Sequence, residues 1–301
     1  MGWRSVIITQ HAKLSYSSRM MTVQNRDGIN QIPIEDINLL LINTTQAVIT
    51  SSLISHLAKS EVKVIFSDDM HEPICETVGY YPSTRDIDLL EQQVNWTVQK
   101  RETLWTKIIF AKIQNQIKVL MSYGENVDEI NDELEKIEMN DFTNREATVA
   151  RKYFPLLFET DFVRRNNSPI NAALNYGYSI LLSTVNQEVV SNGYLTYIGI
   201  HHHSEENMFN LSSDLMEPFR PVIDYWVAGQ KFYELTPDVK YGLVELLSLE
   251  IIFNGKKMLL KNAISEYVRN CLNFLSGNSS KMNIEVGFTN EVPSYAINDN
   301  V

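Results

Sequence analysis

Cysteine is nearly absent from this chain of 301 residues, with Cys75 and Cys271 the only two. Such a pair makes neither a disulfide framework nor a paired-cysteine zinc site, so the core alone must hold the fold and a reducing compartment is expected. No uninterrupted apolar run approaches the roughly 18 to 20 residues that a membrane helix needs, and no apolar secretory segment opens the chain. The expectation is a cytoplasmic protein without membrane attachment. Positive charge is in deficit: 26 Lys and Arg stand against 37 Asp and Glu, a net charge of −11. That balance excludes whole-surface attraction to nucleic acid, because polyanion binding is mainly phosphate neutralisation. The Walker loop, the dinucleotide glycine fingerprint and the Gly-x-Ser-x-Gly elbow are all missing, which leaves NTPase, dehydrogenase and serine hydrolase chemistry without support.

What the chain does contain is ample apolar material, 44% of residues, enough for one large domain or two ordinary ones. Short β-like runs come first: Ser5 to Thr9, Met20 to Val23, Asn38 to Ile42, Val62 to Phe66 and Ile74 to Tyr80, with a helix-like insert from Ser51 to Lys59. Near Tyr81-Pro82-Ser83-Thr84 the period changes. Trp105, Ile108, Ile109, Ile113, Ile117 and Leu120 then recur at three- and four-residue steps, the mark of a buried helical stripe. Ser168-Pro169 reads as an N-cap with a first-turn proline, and Asn192-Gly193 as the close of that helix. Leu243 to Phe253 and Met258 to Leu275 continue the helical pattern, and Tyr194 to Ile200 reads as a strand or turn. The expected fold class is α+β: a small β-rich domain over residues 1–81, a larger all-α catalytic domain over 82–276 and a flexible tail over 277–301.

The chemistry-bearing residues gather in the helical half. Thr143-Asn144-Arg145-Glu146 fits a capping box, in which Glu146 would reach back to the N-cap amide; the competing reading sends its carboxylate into a cleft. In the run His201-His202-His203, extended backbone would turn the middle ring away from the other two, although spacing does not say which one is used. Asp214 and Glu217 are three apart and share a helix face, with Asp224 seven further on. Asp214 beside Ser212 and Ser213 suits a helix start, whereas Pro218 should break the helix and expose Glu217 in a bend. Carboxylates with one imidazole suit Mg²⁺ or Mn²⁺ rather than zinc.

Glu146-Ala147-Thr148-Val149-Ala150-Arg151-Lys152-Tyr153-Phe154, Asn171 to Tyr178, Gly199-Ile200-His201-His202 and Asp214-Leu215-Met216-Glu217-Pro218-Phe219-Arg220-Pro221 together resemble a known family. It is the CRISPR-associated integrase and endonuclease that forms the larger protein of the spacer-acquisition complex. The resemblance implies that Glu146, His202 and Glu217 are catalytic and hold Mg²⁺ or Mn²⁺, with Asp214 as a further acid beside them. Two features depart from the usual pattern: Glu217 stands where many relatives have Asp, and the stretch after Glu146 lacks a glycine. The implied reaction is attack of a prespacer 3′-hydroxyl on a phosphodiester at the leader-repeat boundary. Arg145, Arg151, Arg164, Arg165 and Arg220 are the candidate contacts to double-stranded DNA. The implied partners are a second copy in a homodimer and the smaller spacer-acquisition protein in a heterohexamer. A subtype with a single-protein effector nuclease would add that nuclease and a ring-shaped accessory protein. A structure-specific DNA repair nuclease and a noncatalytic DNA-end scaffold stay open as alternatives.

Overall fold

The computed structural model describes residues 4–69, 73–77 and 87–288. The chain forms two units, Met1–Pro82 and Ser83–Val301. Within the first lie β1 (Arg4–Ile8), β2 (Lys13–Ser17), β3 (Met20–Asn25), β4 (Gly28–Pro33), β5 (Ile37–Ile42), β6 (Val48–Ile49), α1 (Ser51–Lys59), β7 (Lys63–Ser67) and β8 (Pro73–Glu76). One sheet runs β1-β5-β7-β8, parallel except for β8, and the other β4-β3-β2-β6. The near-continuous apolar run of β5 follows from its central place, since a parallel strand is covered on both faces. Leu14, Met21, Leu40, Leu53, Leu57 and Val64 form the shared core.

The strands legible in the sequence are β1, β3, β5, β7 and the start of β8. β2 and β4 were not, because β2 buries only Leu14 fully and β4 is exposed over its first four residues, so neither shows a full apolar alternation. Residues 78–86, which hold the expected end of the last strand and the change of period, lie outside the described residues.

The second unit is built around α3 (Val98–Ser122), preceded by α2 (Ile87–Val94) and followed by α4 (Asp128–Leu134), α5 (Arg145–Leu157) and α6 (Pro169–Ser191). After them come α7 (Asn210–Met216), α8 (Arg220–Ala228), α9 (Pro237–Glu245), β9 (Glu250–Phe253), β10 (Lys256–Leu259), α10 (Leu260–Ser276) and β11 (Val286–Phe288). The expected stripe of α3 is buried throughout, and Ser168 caps α6 by accepting from the Asn171 amide. Gly177 lets α6 approach α8 closely, since a Cβ there would stand 2.5 Å from Ile223. Among the described residues no helix is long and apolar enough to cross a membrane.

The broad order, a β-sheet region and then a helical one, is as expected, but three local expectations need correcting. The helical unit is not all-α: β10-β9-β11 form a small antiparallel sheet. Asn254-Gly255 turns β9 into β10 with φ of 47° and 78°, the positive values that a two-residue hairpin turn of this hand requires, and that signal outweighs the helical reading of Leu243 to Phe253. The flexible tail also fails as far as residue 288, because β11 pairs with β9 and Lys118 Nζ donates to the Val286 carbonyl at 2.6 Å. Met282, Ile284 and Val286 are buried there, and burial holds the segment without helical periodicity. The tail residues 289–301 lie outside the described residues. Tyr194 to Ile200, lastly, is irregular chain and not a strand.

Candidate active site

Glu146 is freed for the site by its neighbours. Asn140, Asp141 and Asn144 all have positive φ, a backbone that Asn and Asp tolerate best among non-glycine residues. The last of them is the N-cap of α5, accepting from the Ala147 amide at 3.3 Å. Asp141 accepts from the amides of Arg145 at 2.7 Å and Glu146 at 3.0 Å. The capping box with Thr143 at its head therefore does not form: the helix starts one residue later, and the orphan amides are served without the Glu146 carboxylate. That carboxylate meets Lys112 Nζ instead.

Glu217 reaches the same nitrogen. Neither Pro218 nor Pro221 can donate an intrahelical hydrogen bond, so α7 gives way to a 3-10 turn over Glu217–Phe219 before α8 begins. The freed Pro218 carbonyl accepts from Asn115 Nδ2 of α3 at 2.8 Å. Glu217 is not exposed by this bend but only 4% accessible. Its Oε2 is 2.5 Å from Lys112 Nζ and its Oε1 is 3.1 Å from Arg220 Nε. Burial pulls the Lys112 ammonium down, but Glu146 and Glu217 outweigh it and hold the group above its ordinary value. Two acids far apart in sequence thus close on one cation.

The histidine segment is held by Asp214, which lies inside α7, fully buried, and not at a helix start. Its carboxylate accepts from the amides of Ile200 at 2.6 Å, His201 at 2.9 Å and His202 at 3.3 Å, and from His202 Nδ1. A carboxylate already accepting from three successive amides accepts from the ring as well, so Nδ1 is the donor and Nε2 is left as the other ring nitrogen of His202. This hydrogen bond raises the His202 pKa against the opposing effect of burial, with Glu146 and Glu217 adding to the rise. Gly199 makes the turn possible: a Cβ there would stand 2.4 Å from the His202 carbonyl oxygen and 2.9 Å from Asp214 Oδ2. His201 stacks flat on Trp105 at 4.4 Å and His202 meets the same indole edge-on at 5.6 Å. His203 is exposed.

Of the candidate DNA-contacting residues, Arg151 and Arg165 are exposed. Arg145 is tied to Glu133 at 2.9 Å and Arg164 to Asn171 at 2.6 Å. Arg220 lies between Glu217 and the Tyr178 ring. Lys112 was not singled out from sequence, although the signal is there: a lysine four residues after Ile108, on the apolar stripe of α3, has no solvent to face. Among the described residues, no group of three or more His, Cys, Asp or Glu side chains is gathered closely enough to hold a metal ion.

Behind the site, Asp224 is buried and accepts from the hydroxyls of Tyr178 and, at 3.0 Å, Tyr153. Burial pushes its carboxyl up to about 6, although both hydroxyls and Arg220 work to lower it. The folded form then holds a proton that the unfolded chain releases near 3.8. Its contribution is fully present below that pH and is lost as pH rises through about 6. The stability of wild type relative to Asp224→Asn should therefore fall by about 2 kcal/mol between pH 4 and pH 7. Urea unfolding of both proteins at the two pH values checks this, and a constant difference would refute it.

The fold is shared with proteins of known structure. A solved structure titled "Casposase bound to integration product" superposes with a TM-score of 0.78 at 19% identity, covering 93% of either chain. A Cas1 protein from Thermotoga maritima gives 0.75 at 15% identity, covering 91% of this chain and 97% of that one. The family described as CRISPR associated protein Cas1 matches residues 5–230. A CRISPR-associated endonuclease Cas1 of Neisseria meningitidis serogroup C (strain 8013) is 32% identical over 275 residues, covering 89% of this chain and 90% of its own. Another, from Francisella tularensis subsp. novicida (strain U112), is 25% identical and covers 88% of this chain and 93% of its own. The chain belongs to the Cas1 family.

Proposed function

We propose that this protein is a DNA endonuclease and integrase of CRISPR adaptation. It joins the 3′-hydroxyl of a prespacer duplex to a phosphodiester at the leader-repeat boundary, using Mg²⁺ or Mn²⁺ held by Glu146, His202 and Glu217. The observation that carries the reading is the convergence of Glu146 and Glu217, from separate helical segments, on a single positive charge. Two oxygen donors of the set already meet at one position, whereas His202 is not gathered with them in the metal-free protein and would have to close on the ion. Two carboxylates share one cation position, and the imidazole charge-coupled to both has Nδ1 committed to Asp214, leaving Nε2 as donor. The chemistry supplied by the ion when bound is activation of the attacking hydroxyl and neutralisation of charge developing at phosphorus.

The chain's own residues prepare that site. Asp214 fixes the tautomer and direction of His202, and Asn115 pins the turn that carries Glu217. Arg220 adds a partly exposed positive charge beside Glu217, where a phosphodiester gains electrostatic stabilisation. The net charge of −11 confines any DNA contact to local basic patches, for which Arg151 and Arg165 are exposed.

Relatives named as endonucleases and a fold neighbour titled "Cas6-RT-Cas1--Cas2 complex" support nuclease chemistry, with DNA and Cas2 as partners. The reading extends to a homodimer flanking Cas2 in a heterohexamer. In a subtype of type II-A kind, an effector nuclease and a ring-shaped accessory protein join it.

The test mixes the chain with Cas2, a 3′-hydroxyl duplex and a repeat-bearing plasmid, in Mn²⁺ or in EDTA. Joined product is expected only with Mn²⁺. Cleavage without joining would point to a repair nuclease, and processing indifferent to EDTA would end the metal reading.

A further inference from the structure

The pocket between Glu146 and Glu217 is filled by the ammonium of Lys112, which nothing in the proposed reaction requires. Its nitrogen lies within ion-pair reach of both carboxylates, and its side chain is 8% exposed. With Arg220 beside Glu217, two positive and two negative charges balance in this small volume. A divalent cation bound by the same two carboxylates needs the space the ammonium fills. At such short range in a poorly solvated pocket, the two cations would also repel strongly. The lysine stem is long and flexible, so an exchange needs only rotamer changes at one side chain.

We propose that Lys112 is an internal competitor for the metal. Its ammonium holds Glu146 and Glu217 together in the metal-free protein and must leave their shared position when a divalent cation binds. The proposal rests on the metal reading above and adds a regulatory element to it. Metal affinity of the free protein is held down by an amine, and the site does not collapse or spring apart when empty, because the amine keeps the two acids in register.

The experiment uses the full-length protein without DNA and Mn²⁺ as the probe. Calorimetric titration compares wild type, Lys112→Met and Glu217→Gln. In parallel, wild type receives a pulse of acetic anhydride with and without saturating Mn²⁺, and acetylation of Lys112 is read by peptide mass mapping. The expected results are Mn²⁺ binding at least about tenfold tighter in Lys112→Met than in wild type, and several-fold greater acetylation of Lys112 when Mn²⁺ is present. Glu217→Gln should bind weakly or not at all.

If Lys112→Met binds no tighter than wild type while Glu217→Gln loses binding, and the amine stays protected with Mn²⁺ bound, competition by Lys112 is overturned and the metal site stands. If neither wild type nor Lys112→Met binds Mn²⁺, the metal site itself is wrong and the proposal falls with it. The labelling arm needs no variant, so it decides the matter even if the uncharged side chain leaves the two acids, one of them buried, without a counter-charge and the variant too unstable to fold.

Discussion

Glutamine at Glu146 and at Glu217 should abolish DNA joining in both variants, by about 10³-fold or more, yet affect stability very differently. The activity loss is expected because each substitution removes a charged oxygen donor from a site that works by charge, and such donors contribute about 4 kcal/mol to a transition state. Stability separates the two because their burial differs. Glu146 keeps 26% of its side chain exposed and shares Lys112 with Glu217, so its removal leaves that ammonium a partner. Glu217 is 5% exposed and serves both Lys112 and Arg220. Neutralising it leaves the buried Lys112 ammonium and the partly exposed Arg220 guanidinium with one carboxylate between them, a loss of about 3 kcal/mol. Thermal melts in EDTA should therefore show Glu146→Gln near wild type and Glu217→Gln clearly lower. A strand-transfer assay with either variant giving product at wild-type rate would remove the carboxylate pair from the mechanism.

Alanine at Gly199 is expected to damage the site from a position that carries no chemistry. Its Cβ would stand 2.4 Å from the His202 carbonyl oxygen, 2.9 Å from Asp214 Oδ2 and 3.0 Å from the Asn210 Cβ. Two of these atoms belong to groups already fixed: a backbone carbonyl, and a carboxylate that accepts from three successive amides. Relief has to come from moving the loop, which costs Asp214 its donors inside a dry interior. Losing or bending two such charge-assisted bonds is worth about 3 kcal/mol, or roughly 6–12 °C in Tm for a unit of this size. Joining activity should fall by about 10²-fold, because the His202 ring is aimed by the same carboxylate. Alanine at Gly124, where φ is +78° but nothing lies within 4 Å, provides the contrast. It should cost only about 1 kcal/mol and leave activity intact. Equal effects of the two substitutions on joining would show that the Gly199 contact is not what holds His202.

The sequence made some of this legible and hid the rest for identifiable reasons. A stripe such as Trp105, Ile108, Ile109 and Ile113 is a local periodic signal, and a Ser-Pro pair at a helix start acts through its own backbone, so α3 and the beginning of α6 could be read directly. β2 and β4 could not, because edge-exposed or half-polar strands are defined by the partner they pair with and not by their own pattern. The hairpin of β9 and β10 was announced by Asn254-Gly255 but masked by helical periodicity on either side. Glu146 posed a true ambiguity: the same oxygens suited a cap or a cleft, and Asp141 and Asn144, by serving the amides first, resolved it.

By itself the sequence determined which elements are helices or strands where their periodicity is strong, and which residue types carry the chemistry: two acids and a histidine in a Cas1 pattern. Only the tertiary structure decided what those residues face. Side-chain convergence depends on the packing of distant segments, and nothing local in the chain states that Lys112 of α3 will lie between Glu146 and Glu217. Nor does it state that Asp214 will gather the histidine loop instead of capping a helix. Burial removes water as a partner, and each buried charge must then take whatever opposite charge the fold brings within reach.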